Sequence, residues 1–155
     1  MKATLIQGHQ AFGRTANVLQ SPLLLAIRAY WGWQFMQTGW GKIHNLAHVT
    51  QFFVSLGIPL PGVNAFFVSW LELLGGLLLI VGLLSRPVAL MLAIDMVVAF
   101  LAADRDALRS IISEPDKFYA AAPYTFLFAS LIILAFGPGK IALDAWIEHR
   151  MAQSG

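Results

Sequence analysis

The sequence predicts an all-α fold: an antiparallel bundle of four transmembrane helices, with short interfacial helices after the first span and at the C-terminus. Of the 155 residues, 58% are hydrophobic and only 12% are charged, whereas soluble domains contain about 25% charged residues. Four apolar segments also approach the roughly 20 helical residues that cross a bilayer. No linker or low-complexity stretch separates them, so we expect one membrane domain.

Residues 1–20 form a polar N-terminal segment that precedes this domain. It contains His9, Arg14 and Asn17, and these side chains are too polar for the apolar region of a signal peptide. We therefore expect the segment to be retained and the membrane domain to cover residues 21–150.

The predicted spans cover residues 22–40, 63–84, 87–103 and 120–136. Pro22 suits the first turn of the first span. A link of only Ser85 and Arg86 forces the second and third spans into an antiparallel hairpin. Gly137-Pro138-Gly139 ends the fourth span, because this tripeptide cannot continue a helix.

Two connecting segments are predicted to lie along the membrane surface. After the first span, polar residues recur at i, i+4, i+7 and i+11 opposite an apolar face. These residues are His44, His48, Gln51 and Ser55. Residues 140–150 repeat the amphipathic pattern after the fourth span.

The distribution of basic residues favours a topology with both termini in the cytoplasm. Five Lys and Arg residues fall on the side of the termini and four on the other side, which is a small bias. An even number of spans places the two termini on the same side in either case.

Three ionisable residues interrupt the apolar spans and mark a polar interior: Arg28, Glu72 and Asp95. Charges in hydrocarbon are costly, so they usually serve a function. At ~1.5 Å per residue, Arg28 lies roughly 9 Å, Asp95 roughly 12 Å and Glu72 roughly 18 Å from the face that carries the termini.

We therefore expect Arg28 to pair with Asp95, and Glu72 to be a surplus carboxyl that stays neutral. Lys42 is expected to reach the opposite interface rather than join the site. The alternative is that the three buried groups form a polar network that only fixes helix register.

One face of the first helix is predicted to point inward. It carries residues at i, i+3, i+7 and i+14, namely Arg28, Trp31, Phe35 and Lys42. Glu72 is then level with Gln34 and Phe35. On the second span, small residues should let a neighbouring helix approach closely. These are Ser69, Gly75, Gly76 and Gly82.

Several site classes are disfavoured by residue types. The chain has no cysteine, which excludes disulfides, thiol relays and Cys-ligated iron–sulfur clusters. No predicted span contains a histidine for haem, and glycine loops for flavin or other nucleotides are missing. His44 and His48 lack a third metal ligand. The basic residues are too scattered for nucleic-acid binding.

Six short motifs in order resemble the DoxX family of small bacterial membrane proteins. They are Phe35-x3-Gly39-x2-Lys42, Gly57-Ile58-Pro59, Glu72-x2-Gly75-Gly76, Gly82-Leu83-Leu84-Ser85-Arg86, Asp95-Met96-x2-Ala99, and Gly137-Pro138-Gly139 with Leu143-Asp144. The resemblance covers residues 23 to 147. Lys140-Ile141-Ala142-Leu143-Asp144 departs from the family pattern, in which Ser-Leu-Asp follows a basic residue.

The resemblance implies a multi-pass four-helix bundle in the bacterial inner membrane with an oxidoreductase-like association. The family is named for a subunit of an archaeal quinone-reducing system. The first hypothesis is a quinone-linked subunit that receives electrons from a partner redox subunit. Its catalytic residues would be Glu72, Arg28 and Asp95. Its quinone-binding residues would be Trp31, Gln34, Phe35 and Trp70.

Two further hypotheses stay open because a fold does not supply a mechanism. The chain is alternatively a non-catalytic accessory or scaffold subunit that docks on partner helices or on a second copy of itself. It is alternatively a carrier of protons or a small molecule, although four short spans without an internal repeat differ from typical transporters.

Overall fold

The computed structural model describes the backbone of residues 2–153 and the side chains of residues 18–153, and it contains helices and no strand over that range. The all-α prediction is therefore confirmed. The helices are α1 (Lys2–His44), α2 (Leu46–Ser55), α3 (Pro61–Val81), α4 (Ser85–Ala102), α5 (Arg105–Arg109), α6 (Pro115–Ala120), α7 (Ala122–Phe136) and α8 (Leu143–Gln153).

The first helix is longer than predicted at both of its ends. It runs without a break through Pro22, which lies inside α1 instead of in its first turn. A proline inside a helix removes one backbone hydrogen bond, and this 43-residue helix nevertheless continues on both sides of Pro22. The predicted polar segment 1–20 is thus helical from Lys2 onward, while the side chains before Val18 lie outside the described residues.

The α3–α4 hairpin forms as predicted, but its link is Gly82–Leu84. Ser85 and Arg86, predicted as the link, are instead the first two residues of α4. Gly82 ends α3 because it adopts a left-handed conformation, with φ +76°, and donates its N–H to Leu78 O at 2.8 Å. Glycine accepts this conformation without steric cost.

The connecting helices lie near the predicted positions, but their first and last residues differ from the prediction. α7 begins at Ala122, since α6 is a separate helix, and it stops at Gly137, as predicted. The polar stripe predicted from His44 to Ser55 is split at Asn45, where α1 ends and α2 begins.

Two of the described helices, α3 and α4, have both the length and the apolar content to cross a bilayer. α7 is apolar, but it has only 15 residues. α1 is long enough, yet it does not reach the apolar content of α3 and α4.

The core lies between two helix pairs, α1 with α3 and α4 with α7. Buried apolar side chains from all four helices meet there. They are Phe35, Leu79, Val88, Ala89, Leu92, Met96 and Ile133. This layer separates the two ends of the bundle.

Glycines bring the backbones of α1 and α3 into direct contact. A methyl group at Gly39 would overlap the backbone of Ser69 and Leu73, and one at Gly76 would overlap that of Gly32. Small residues allow such close approach between helices. The predicted packing role of the small residues on α3 is therefore confirmed at Ser69 and Gly76.

The bundle has two chemically different ends. At the terminal end, Lys140 N lies 3.2 Å from Ser21 Oγ, and Asp144 N lies 2.9 Å from Gly82 O. These contacts join the start of the predicted first span, the α3–α4 link and the segment that leads into α8. The opposite end carries α2, α5 and α6 and is called the cavity end below, because a cavity opens there between α2, α3 and α4.

Candidate functional site

Arg28 lies at the terminal end, fully buried, and binds backbone oxygens instead of Asp95. Its Nη1 donates to Leu79 O at 3.2 Å, and its Nη2 donates to Ile141 O. The carbonyls of the last turn of a helix lack partners within that helix and favour a cation. The predicted Arg28–Asp95 pair is therefore wrong, because the end of α3 occupies the guanidinium.

Asp144 completes this arrangement from the C-terminal segment. Its Oδ1 accepts a hydrogen bond from Leu84 N at 2.8 Å, and its Oδ2 accepts one from Ser85 N at 2.9 Å. The carboxylate thus binds the free N–H groups at the start of α4, where negative charge is stabilising. Asp144 is also the acidic neighbour of Arg28. The terminal-end charges therefore join helix ends.

The cavity end contains an ion pair that the sequence reasoning missed. Lys42 Nζ lies 2.7 Å from Glu72 Oε1, and only 3% of the Glu72 side chain is exposed. Asp95 interacts with both groups. The prediction that Lys42 points to the opposite interface is wrong.

Helix geometry explains why Lys42 turns inward. Side chains on an α-helix lean toward the N-terminus of their own helix. α1 and α3 run in opposite directions, since Gly39 contacts Ser69 while Arg28 contacts Leu79. Lys42 therefore leans toward the bundle centre, whereas Glu72 leans toward the cavity end, and the two side chains meet.

The charge count at this end is two carboxyl groups and one ammonium group. Glu72 binds Lys42 through Oε1, so Glu72 is not the surplus carboxyl without a charged partner that the sequence predicted. Asp95 lies close enough to Glu72 for a hydrogen bond when one of the two is protonated. Glu72 Oε2 and Asp95 Oδ2 are buried and accept no hydrogen bond from the described residues. The cluster thus keeps unused acceptor capacity.

These three groups line a cavity of about 620 Å³ between α2, α3 and α4. Most of the remaining wall is apolar, with polar side chains from His48 and Asn64. The apolar lining includes Val49, Phe52, Phe53, Leu56, Val68, Met96 and Ala99. A largely apolar pocket with a few converging polar groups is the usual form of a small-molecule site.

The residues predicted to hold a quinone do not line this cavity. Trp31 and Phe35 both contact Phe126 of α7, with ring centroids 5.1 and 4.7 Å apart. Gln34 Nε2 lies 3.2 Å from the hydroxyl of Tyr30.

Trp70 is likewise not part of the cavity lining; it is 39% exposed and contacts Phe66. The aromatic wall comes from Phe52 and Phe53 on α2 instead. The apolar face of amphipathic α2 was the sequence signal that could have predicted this wall.

The two histidines of the predicted stripe also separate. His44 Nδ1 lies 2.9 Å from Trp40 O, while His48 lines the cavity.

A profile of the DoxX family matches residues 23–105, more than half of the chain. The chain belongs to the DoxX family. The matched range contains Lys42, Glu72 and Asp95. It ends before the terminal-end segment that contains Gly137 and Asp144. The family is membrane-associated, and α3 and α4 are the described helices that are long and apolar enough to cross a bilayer.

One curated relative gives a functional hint. A protein of Bacillus subtilis (strain 168) named "Putative oxidoreductase CatD" is 28% identical over 123 residues, which cover 79% of this chain and 85% of the relative. No solved structure shows a significant match.

Proposed function

We propose that this DoxX protein is a quinone-linked redox subunit whose quinone site is the cavity between α2, α3 and α4. A buried polar cluster with free acceptor oxygens, placed at the inner end of an apolar cavity, carries the proposal. The name of the Bacillus relative adds a redox association.

The lining residues fit the chemical character of a quinone. Phe52, Phe53 and Met96 offer apolar contacts for a ring and tail, and α2 forms one wall. The Lys42 ammonium can donate a hydrogen bond to a ring oxygen, because it has three donors and Glu72 Oε1 is its partner for one of them. The buried carboxyl pair can hold a proton beside that oxygen.

A bound quinone would supply two-electron redox chemistry, which this cysteine-free chain lacks. The electrons would come from a partner redox subunit, and reduction would also take up two protons. In this chain, Lys42 would orient the ring oxygen, and Asp95 with Glu72 would hold and transfer protons. The apolar walls would limit the access of bulk water to the inner end of the cavity.

The same proposal includes the membrane arrangement. α1, α3, α4 and α7 would all cross the bacterial inner membrane, with both termini in the cytoplasm. Their side-by-side packing around one core supports four spans. The short α7 would need local thinning of the bilayer, which costs only fractions of a kcal/mol per Å.

Quinone binding to the purified protein in lipid nanodiscs tests the site directly. Glu72→Gln keeps the shape of the side chain but removes the partner charge of Lys42 and the shared proton. We expect folding to survive, while the affinity for a short-chain quinone falls about tenfold, or ~1.4 kcal/mol.

Glu148→Gln is the matched control, because it makes the same substitution at an exposed position of the terminal end. Its affinity should equal that of the parent. A folded parent protein that binds no quinone would contradict the proposal and would favour an accessory or scaffold role. Equal affinity in Glu72→Gln would place any quinone elsewhere.

A further inference from the structure

The Glu72–Asp95 carboxyl pair has very different surroundings toward the two ends of the bundle. Toward the cavity end, the cavity continues from Glu72 and Asp95 past His48 and Asn64. It reaches Pro59 before α3 and Ala103 after α4. The pair therefore has a path to the helix ends on that side.

Toward the terminal end, the same pair is closed off by the apolar core. Phe35, Leu79, Leu92 and Ile133 are fully buried in that layer. Its buried hydroxyl, on Ser130, donates to Phe126 O of its own helix at 2.9 Å. A second buried hydroxyl, that of Ser85, has no partner among the described residues, but it lies at the start of α4, beyond Val88 and Ala89 of the apolar layer. The described side chains between Ser85 and the carboxyl pair therefore offer no continuous polar path toward Arg28.

We infer that the Glu72–Asp95 carboxyl pair exchanges protons with only one side of the membrane, the side that carries α2. Every proton taken up or released at this site would then enter or leave through the cavity. In the topology proposed above, this is the extracytoplasmic side. The inference refines the proposed function, yet it requires no quinone.

The ionisable groups that face the pair come from each wall of the cavity. They are Lys42 of α1, which binds Glu72, and His48 of α2, which lies nearer the mouth. α7 contributes no residue to the lining. His48 is exposed, and an imidazole carries both a donor and an acceptor nitrogen, so it suits proton transfer between the cavity and water.

The absence of cysteine makes sided labelling a clean test. Ala99→Cys places a thiol inside the cavity, four residues after Asp95 on the same face of α4. Ser55→Cys marks the cavity end, and Glu148→Cys marks the terminal end, because both positions are exposed. The probe is a membrane-impermeant trimethylammonium thiosulfonate, added to spheroplasts or to inverted membrane vesicles.

We expect Ala99→Cys to react in the preparation that labels Ser55→Cys, and at least tenfold more slowly in the preparation that labels Glu148→Cys. Reaction from the Glu148 side, from both sides, or from neither side would overturn one-sided access. If the folded protein shows this labelling pattern but binds no quinone, the proposed function is contradicted and one-sided access is still supported.

Proton exchange at the pair is followed by comparing two labelling rates at Ala99→Cys. One is the rate with the cationic thiosulfonate, and the other is the rate with a thiosulfonate that carries an anionic sulfonate group. Raising the pH on the cavity side should increase the cation-to-anion ratio of labelling rates at Ala99→Cys, because the pair loses its proton and becomes more negative. Raising the pH on the terminal side should leave the ratio unchanged. Asp95→Asn should abolish the response, and a response that persists in this variant would overturn the assignment to the pair.

Discussion

The two ends of the bundle both bury charge, but among the described residues only the cavity end leaves buried carboxyl oxygens without a partner. The unpaired buried groups at the terminal end are Arg28 Nε and the Ser85 hydroxyl. At the terminal end, Arg28 and Asp144 bind the backbone groups at the end of α3 and the start of α4. At the cavity end, Glu72 and Asp95 each retain a buried oxygen without a donor among the described residues. Buried charge that completes helix ends is structural, whereas buried charge with free acceptors facing a cavity indicates a site.

The presence of a cavity is not what distinguishes the two ends. The terminal end has one of about 640 Å³, lined by the exposed side chains of Arg86 and Glu148 among others. Arg28 is not part of that lining. The difference therefore lies in which groups the buried charges already bind.

Arg28→Leu should have the largest effect on stability, about 3–5 kcal/mol, because it leaves buried carbonyls and Asp144 without their cation. Thermal unfolding in detergent measures the loss. Arg86→Leu, an exposed arginine at the same end, should change stability by less than about 0.5 kcal/mol.

The double variant Arg28→Leu with Asp95→Leu tests whether the two ends are independent. The two effects should be additive within about 0.5 kcal/mol, since the residues share no partner. If Asp95→Leu instead recovered the stability lost in Arg28→Leu, the result would support a direct Arg28–Asp95 pair and contradict the structure.

Asp144→Ala should cost about 1–2 kcal/mol, because the N–H groups of Leu84 and Ser85 lose their acceptor. Glu148→Ala removes an exposed acid from α8 and should cost little. Chemical denaturation of both variants gives the comparison. Equal losses would show that Asp144 does not cap α4.

Lys42→Met should have the smallest effect, about 1 kcal/mol, since the lysine side chain is 32% exposed and solvent screens its attraction to Glu72. Combining it with Glu72→Gln should recover most of the loss in thermal unfolding. Strict additivity of the two substitutions would mean that the ion pair carries no coupling energy.

Local sequence signals were enough to predict the helical framework. The charge-free run around Glu72, the glycine at position 82 and the Gly137-Pro138-Gly139 stop each act within one turn of the chain. They located α3, the α3–α4 hairpin and the end of α7 to within a few residues. The prediction that the first helix begins near Pro22 was wrong, because proline favours the first turn of a helix but also occurs inside helices.

The site was predicted only in part, because partners depend on geometry between helices. Arg28 and Glu72 were identified correctly as buried ionisable residues, and Asp95 is partly buried beside Glu72. The partner of Glu72 was not identified, since counting depth along each helix ignores the direction in which side chains lean, which moves Lys42 inward. The aromatic residues of α1 were assigned to the site for their chemistry, but the rings of Trp31 and Phe35 pack against Phe126 of α7.

The glycine contacts between α1 and α3 have a mechanical consequence. Where Gly39 and Gly76 let backbones touch, no flexible side chain can yield, so the two helices form an incompressible pair. The cavity is lined mainly by α2, α3 and α4, and α1 contributes Lys42 alone among the described residues. A guest larger than the cavity must therefore be admitted by displacement of α2 or α4, while the α1–α3 pair acts as the fixed frame of the protein.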